Sequence, residues 1–116
     1  MRARSPATVS GVNSVRLAGS IATDVTLRHY DDRRRVSFLL RVERAEGRGV
    51  DFVPVVAWNA IADGCERLGK GDRAAVAGEI RSRRWQDDEG RRHRAVEVVA
   101  TSLTRAPTAE EVTAAS

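Results

Sequence analysis

The sequence predicts an all-β protein, a five-stranded barrel with one short helix between the third and fourth strands. Five segments alternate apolar and polar residues with the period of two that a half-buried strand requires. A single segment with helical spacing lies between the third and the fourth of them. The chain has 116 residues and 41% hydrophobic content, which is enough for one small core.

The first predicted strand lies in NSVRLAGSIATDV, where Val15, Leu17 and Ile21 alternate toward one side. Arg16 lies between them and is expected to point outward. Gly19 interrupts the apolar series, and a glycine inside a strand often marks a bulge or a bend. This segment therefore predicts a half-buried strand with an irregularity at Gly19.

The second and third strands, VSFLLRV and VDFVPVVAW, follow the charged turn DDRRR and the short turn ERAEGRG. Phe38 has the parity of the apolar face and is expected in the core, while Arg41 has the opposite parity. In the third strand Phe52 and Trp58 share the parity opposite Val53, so both are expected to face outward. An oligomer interface is the alternative role for Phe52.

The helix is predicted in NAIADGCERLG, with Asn59 as its N-cap. Two further strands follow in KGDRAAVAGEI, where Ile80 aligns with Val76, and in RAVEVVATSL, where Val96 aligns with Val98. This order of elements is that of an oligonucleotide-binding (OB) barrel, although the composition also allows other small five-stranded barrels.

The pattern divides the chain into three parts. Residues 12–105 form the predicted domain, residues 1–11 a flexible N-terminal arm, and residues 106–116 a disordered tail without periodicity. No apolar run approaches the roughly 20 residues of a membrane span, so no membrane association is expected.

The formal net charge of +4 and the pI of about 10.5 come almost entirely from arginine, since Lys70 is the only lysine. A general bias toward arginine would explain part of this composition, but it would not explain why the arginines cluster. Phosphate is the natural counter-charge for such a surface. The single Cys65 excludes an internal disulfide and suits a reducing cytosol.

Catalytic chemistry finds little support in the sequence. His29 and His93 are far apart, no pair of His or Cys has the spacing of metal ligands, and no glycine-rich loop could hold a phosphate. The sequence therefore predicts a protein that is not an enzyme and needs no cofactor or metal.

The segment EIRSRRWQDDEGRRHRAVEVVA concentrates the features of a single-strand binding surface. Trp85 has no apolar neighbour to bury it, and three acidic residues gather at the predicted turn while arginines line both arms. Aromatic rings stack on bases at about 1 to 3 kcal/mol each, and arginines neutralise phosphates. The candidate phosphate ligands are Arg81, Arg83, Arg84, Arg41 and Arg16, whereas the loop cluster Arg33 to Arg35 serves solubility or binding equally well.

From Val12 to Leu103 the chain resembles the bacterial single-stranded DNA-binding protein family. The resemblance is carried by several segments in the family's order: VNSVRLAGSIATD, TLRHY, VSFLLRV, DFVPVVAW, KGDRAAVAGEI and the hairpin segment quoted above. It implies an OB fold that binds single-stranded DNA without sequence preference in replication, recombination and repair. It also implies a cytoplasmic, nucleoid-associated homo-oligomer, with a tetramer favoured over a dimer.

The resemblance also assigns roles to particular residues. Trp85, Trp58 and Phe52 match family aromatics that stack on bases, and Arg81, Arg83 and Arg84 match the basic stretch beside the hairpin aromatic. Either His29 or Tyr30 could take a further aromatic place.

The chain departs from the family at its tail. APTAEEVTAAS lacks the family's acidic tip ending in Pro-Phe, so recruitment of replication proteins is not expected of this short form. Two alternatives remain open at this point: a replication-restart accessory protein on the same fold, and an assembly module of this fold that has lost DNA binding.

Overall fold

The computed structural model describes residues 11–106, which contain six strands and one helix. The predicted arm and tail lie outside the described residues except for positions 11 and 106, and the predicted domain limits of 12–105 stay a prediction. The elements are β1 (Val15–Ile21), β2 (Thr26–Tyr30), β3 (Arg33–Glu43), β4 (Val50–Trp58), α1 (Asn59–Asp63), β5 (Arg73–Gln86) and β6 (Arg92–Arg105).

Five of these strands close into a ring. β1 pairs with β5, β5 with β6, β6 with β4 and β4 with β3, and β3 returns to β1 through Ser20 opposite Arg41. The contact between β4 and β6 is parallel and short, covering Val55 and Val56 of β4. The helix α1 lies between β4 and β5, the third and fourth strands of the ring. The predicted five-stranded OB architecture is confirmed.

The structure adds a strand that the pattern did not predict. β2 pairs with β3 as a hairpin in which Tyr30 is opposite Arg33, so Asp31 and Asp32 alone form the turn. Asp31 adopts a positive φ of 52°, a conformation that Asp tolerates better than most residues. The prediction that Arg33 to Arg35 lie in a loop is therefore wrong, because so short a turn leaves the arginines at the start of β3.

The core fills the inside of the ring. Ile21, Leu40 and Val55 are at most 1% exposed and Phe38 is buried with them, as the alternation predicted, and Cys65 is buried in the same core. Burial of each large apolar side chain contributes about 1.5–3 kcal/mol relative to exposure. These residues come from β1, β3, β4 and the segment after α1, so the core depends on closure of the ring.

The β5–β6 hairpin extends beyond the core. Its register shifts at a bulge between Ala77 and Gly78, and farther out Ile80 and Val96 are 46% and 56% exposed. The prediction that these two residues continue the apolar face is correct in parity but wrong about burial. The hairpin extends past the ends of the other ring strands, so no strand covers these two side chains.

Gly19 has a different structural role from the predicted one. β1 pairs with β5 in unbroken register from Val15 to Ser20, so this pairing has no bulge at Gly19. A Cβ at this position would overlap the carbonyl oxygen of Arg41 in β3. The glycine therefore permits the close approach of β1 and β3 where the ring closes.

The helix is shorter than predicted and its cap differs. Asn59 does not cap α1, because Trp58 occupies the cap position without a side-chain hydrogen bond, and Asn59 itself has a φ of 49°. The Oδ1 atom of Asn59 instead accepts a hydrogen bond from the backbone N–H of Arg34 at 3.0 Å. Nε and Nη2 of Arg34 donate to both carboxylate oxygens of Asp63 at 2.7 and 2.8 Å. These bonds fasten α1 to β3.

Candidate nucleic-acid interface

The outward faces of β3, β4, β5 and β6 form one surface. Residues directly opposite each other on antiparallel strands lie on the same face, so the pairing register identifies which side chains share it. The parallel register of β4 and β6 continues this face from one antiparallel pair to the other. The outward pairs are Arg35–Trp58, Arg41–Phe52, Arg81–Glu97 and Trp85–His93.

Trp58 is surrounded by cationic and aromatic groups. The guanidinium carbon of Arg33 lies 4.2 Å from the Trp58 ring centroid and that of Arg35 lies 5.9 Å away, both within the range of cation–π attraction. The Tyr30 ring lies 6.1 Å from Trp58 at an interplanar angle of 44°. Tyr30, rather than His29, therefore adds an aromatic ring to this part of the surface.

Trp85 is 40% exposed, yet its ring has two close neighbours. The His93 ring stacks on it with centroids 5.3 Å apart and an interplanar angle of 19°. The guanidinium carbon of Arg83 lies 4.4 Å from the centroid. A further flat ring could stack here only by displacing one of these groups or by extending the existing stack. The sequence suggested an isolated ring, because it does not reveal which residue is opposite Trp85.

Glu97 connects the two tryptophan clusters. Its Oε1 atom accepts a hydrogen bond from Nε of Arg83 at 3.2 Å and lies 3.7 Å from Nη2 of Arg35. The side chains of Glu97 and Arg35 are only 11% and 15% exposed. Trp58, Arg35, Glu97, Arg83 and Trp85 thus form a continuous series of contacts across four strands, which we call the indole–arginine row.

An open groove of about 580 Å³ lies beside Glu97, between the segment after β1 and the β5–β6 hairpin. Ser37 and Val56 contribute to its lining, and Thr23 accepts a hydrogen bond from the Leu39 N–H at 3.0 Å on its wall. Val56 has the outward parity that it shares with Trp58, but it is buried, with 2% exposure. The groove thus combines an apolar floor with polar and charged walls.

Phe52 and two of the candidate arginines lie on the same outward surface. Phe52 is 54% exposed and opposite Arg41, whose Nη1 donates to Glu43 at 3.3 Å. Arg81 is ion-paired with Glu79 on its own strand. Both arginines are therefore already partnered by acids, one exposed and one half-buried, and a phosphate would have to compete with these contacts.

Two candidate residues are separated from the indole–arginine row. Arg84 is opposite Arg94 on the other face of the β5–β6 hairpin. Arg16 is exposed on β1, opposite Ala77, so β5 and β6 separate it from β4. Neither side chain therefore shares the outward face at the indole–arginine row: Arg84 points away from it, and Arg16 is separated from β4 by two strands.

The acidic tip of the hairpin has a structural role. Oδ1 of Asp87 accepts hydrogen bonds from the backbone N–H groups of Glu89 and Arg91 at 3.0 and 2.8 Å, and Oδ2 lies 2.8 Å from Nε2 of His93. The contact with His93, followed by the backbone bond from Arg91, lowers the pKa of Asp87 below its ordinary value. Asp87 thereby closes the turn and orients His93 against the ring of Trp85.

Sequence reasoning missed Glu97 and His93 on this surface and left the roles of Arg35 and Tyr30 open. Arg35 could have been found by extending the parity of Ser37 back toward the turn. Glu97 is an acid between two valines, which signals an outward side chain but not its partners. His93 and Tyr30 could be assigned only once the two hairpin registers were known.

Within residues 11–106, no group of three or more His, Cys, Asp or Glu side chains could hold a metal ion. No helix in that part of the chain has the length and apolar character needed to span a membrane.

A closed five-stranded ring with a helix between its third and fourth strands defines a protein of the OB-fold class. The same fold occurs in the dimeric N-terminal domain of the PriB protein from Thermoanaerobacter tencongensis. The two chains are 24% identical with a TM-score of 0.65, covering 83% of this chain and 98% of the other. The chain belongs to the single-strand binding protein family, whose model matches residues 12–106.

Curated relatives agree with this assignment. The single-stranded DNA-binding protein of Caldanaerobacter subterraneus subsp. tengcongensis is 38% identical over 99 residues, covering 79% of this chain and 66% of that protein. Single-stranded DNA-binding protein 2 of Listeria innocua is 35% identical over 99 residues, covering 79% of this chain and 62% of that protein. The chain thus spans slightly less than two thirds of the length of these relatives, and the predicted family is confirmed.

Proposed function

We propose that this chain binds single-stranded DNA without sequence specificity and protects it during replication, recombination and repair. The observation that carries the proposal is the indole–arginine row, which brings two indoles and two guanidinium groups together on one outward face. The names of the curated relatives support the same ligand.

Binding combines two interactions that ignore base identity. Trp85, Trp58 and Phe52 stack on bases, and each stacked base is worth about 1 to 3 kcal/mol. Guanidinium groups neutralise phosphates and release counterions from the strand. Because every base has an aromatic face and every nucleotide a phosphate, the affinity is tolerant of sequence. The arginines proposed to contact phosphate are Arg83, Arg81, Arg41, Arg84 and Arg16.

We further propose a homo-oligomer, with a tetramer favoured over a dimer. Between Val15 and Ala18, β1 pairs only with β5, so its other edge is open among the described residues. An open edge offers unpaired backbone groups to another strand. Ile80 and Val96 add exposed apolar surface on the face of the hairpin opposite Trp85. Both features support self-association without covering the indole–arginine row.

The role is one of binding rather than catalysis, and the bacterial cytoplasm, at the nucleoid, is the location that we propose. The bacterial sources of the relatives and their DNA-binding names support this assignment. It would be contradicted if the protein fractionated away from DNA in bacterial cells that express it.

The proposed function is tested by titration with oligo-dT of increasing length, followed by tryptophan fluorescence and native mass spectrometry. We expect quenching on binding and an affinity that falls as salt rises. Five neutralised phosphates, one for each arginine proposed to contact phosphate, would give a slope of about −3.5 in log K against log salt. The masses report stoichiometry and oligomeric state in the same experiment. Equal affinity for duplex DNA, or no binding at low salt, would refute the proposal.

A further inference from the structure

Glu97 is an unexpected residue at the centre of a surface proposed to bind a polyanion. Its side chain is 11% exposed, and a carboxylate is costly to bury unless it is paired. The pairing is supplied by Arg83 and Arg35, the two arginines of the indole–arginine row. Glu97 thus neutralises part of the positive charge that would attract the phosphates of DNA. Its presence at this site therefore needs an explanation other than long-range attraction.

The atoms of Arg83 suggest that reason. Arg83 donates Nε to Glu97, and within the described residues its terminal nitrogens donate no hydrogen bond. Arg34, Arg44 and Arg81 behave differently, because each donates both Nε and Nη2 to a neighbouring carboxylate. Arg83 is therefore held through one nitrogen while its two terminal nitrogens stay available.

Two contacts determine the orientation of the Arg83 guanidinium group. The guanidinium carbon lies over the Trp85 ring, 4.4 Å from its centroid, and Nε is bound to Glu97. What remains is the edge that carries the two terminal nitrogens, the geometry that binds a phosphate through two parallel hydrogen bonds. The side chain is 50% exposed, so a ligand can reach it.

The same carboxylate oxygen also holds Arg35 at the other tryptophan. Nη2 of Arg35 lies 3.7 Å from Oε1 of Glu97, and its guanidinium carbon lies 5.9 Å from the centroid of Trp58. One acid on β6 thereby positions one arginine beside each indole.

We propose that Glu97 is a positioning residue that holds Arg83 and Arg35 beside the two indoles. In this arrangement the terminal nitrogens of Arg83 bind a phosphate next to the base stacked on Trp85. The inference rests on the proposed function and assigns to Glu97 a role in the same site. Glu97 touches the arginines and acts on the DNA through them.

The direction in which one substitution changes the affinity for DNA distinguishes a positioning role of Glu97 from a purely electrostatic one. Removal of an acid from a surface that binds a polyanion should strengthen binding if charge alone matters. If Glu97 positions Arg83, its removal should weaken binding even though the net charge rises by one.

The first experiment compares Glu97→Gln with Glu79→Gln in titrations with oligo-dT. Glu79 is the matched control, because it pairs with Arg81 on the same hairpin without contacting either indole. We expect Glu97→Gln to weaken binding by about three- to tenfold, because a charge-assisted hydrogen bond is roughly twice as strong as a neutral one. Glu79→Gln should leave the affinity unchanged or raise it.

The second experiment is a double-mutant cycle between positions 83 and 97. Arg83→Lys keeps the charge but lacks a second edge for a phosphate while bound to Glu97. Arg83→Lys and Glu97→Gln should each weaken binding. The double variant should lose no more affinity than the single variant with the larger loss. Arg84→Lys, on the opposite face of the hairpin, is the control, and its effect should multiply with that of Glu97→Gln.

Each outcome decides the inference. Tighter binding by Glu97→Gln, or losses that multiply between positions 83 and 97, would overturn it. If Glu97→Gln does not fold, as judged by its thermal transition, Arg83→Lys must still lose more affinity than Arg84→Lys, and equal losses would overturn it. If the unmodified protein does not bind, the proposed function itself fails. Binding that Trp85→Ala weakens and Glu97→Gln does not would refute only the role of Glu97.

Discussion

At Trp85 the hairpin holds an aromatic ring in a defined orientation before any ligand arrives. His93 stacks on the ring at 5.3 Å, and Arg83 lies 4.4 Å from its centroid. A ring ordered in advance loses less side-chain entropy when a base stacks on it. The contact with His93 also depends on Asp87, which connects ring orientation to the turn of the hairpin.

We expect Trp85→Ala to lower the affinity for oligo-dT by about 5- to 150-fold, which corresponds to about 1 to 3 kcal/mol for one stacked base. Fluorescence anisotropy of a labelled oligonucleotide measures the change. Ser82→Ala is the control, because Ser82 is exposed on the opposite face of the same hairpin. Equal losses from the two variants would show that the hairpin as a whole, and not the indole, is needed.

Gly19 is a second residue whose role can be tested separately. We expect Gly19→Ala to lower the free energy of unfolding by about 1–3 kcal/mol, because the added Cβ would overlap the Arg41 carbonyl oxygen where β1 meets β3. Urea denaturation followed by circular dichroism measures the loss. Gly69→Ala is the matched control, since nothing lies within 4 Å of a Cβ built there. Equal stability of the two variants would contradict this account of ring closure.

At the scale of the element, the β5–β6 hairpin shows how one pair of strands can serve two purposes. Its inner half carries Val76 and Val98 in the core, whereas its outer half exposes Ile80 and Val96 on one face and Trp85 on the other. Period-two alternation is the same in both halves. Burial differs because the other strands of the ring end before the hairpin does.

The turn of this hairpin should depend on pH through Asp87. In the folded protein the pKa of Asp87 is lowered, chiefly by His93, from its ordinary value of 3.8. A lowered pKa means that the stabilisation is present above the unfolded value and is lost as pH falls through the folded value. We therefore expect the turn to lose order only below a pH of about 3.8. Amide chemical shifts of Arg91 and His93 during an acid titration measure this transition.

The control for this titration is Asp88→Ala. Within the described residues the side chain of Asp88 makes no hydrogen bond in the turn, so its removal should leave the transition in place. Asp87→Ala should abolish the transition and loosen the turn already at neutral pH. An unchanged titration in Asp87→Ala would assign the pH dependence to another carboxylate.

The β2–β3 hairpin and α1 show where local patterns misled. DDRRR reads as a charged loop, but two residues complete the turn and the arginines continue into β3. Asn is a residue type that often caps helices, yet the side chain of Asn59 accepts a hydrogen bond from the backbone N–H of Arg34, which is distant in sequence. Both errors arose because a neighbouring strand supplied partners that local sequence cannot indicate.

At the scale of the whole molecule, ring closure isolates the core from solvent. The reactivity of the Cys65 thiol measures how well the core is isolated. The thiol is 2% exposed, and burial raises its pKa. At neutral pH the thiolate is thus disfavoured as well as inaccessible. We expect a thiol reagent to modify the native protein slowly and the urea-unfolded protein rapidly.

The matched control moves the thiol by one position, in the double variant Cys65→Ala with Glu66→Cys. Because position 66 is exposed, this protein should react rapidly without urea. Fast modification of native Cys65 would mean that the segment after α1 opens without global unfolding.

The sequence by itself determined the class of fold, the apolar face of each ring strand and the candidate aromatic residues. It could do so because burial imposes a period of two on a strand, whatever the partner of that strand. The outward direction of Phe52 and Trp58 follows from the same rule.

Only the tertiary structure decided which outward side chains form one surface. Arg35 is on β3, Arg83 on β5 and Glu97 on β6, so their contact depends on strand pairings between residues distant in sequence. Register also placed His93 opposite Trp85. Alternation specifies which way a side chain points, whereas closure of the ring determines which side chains meet.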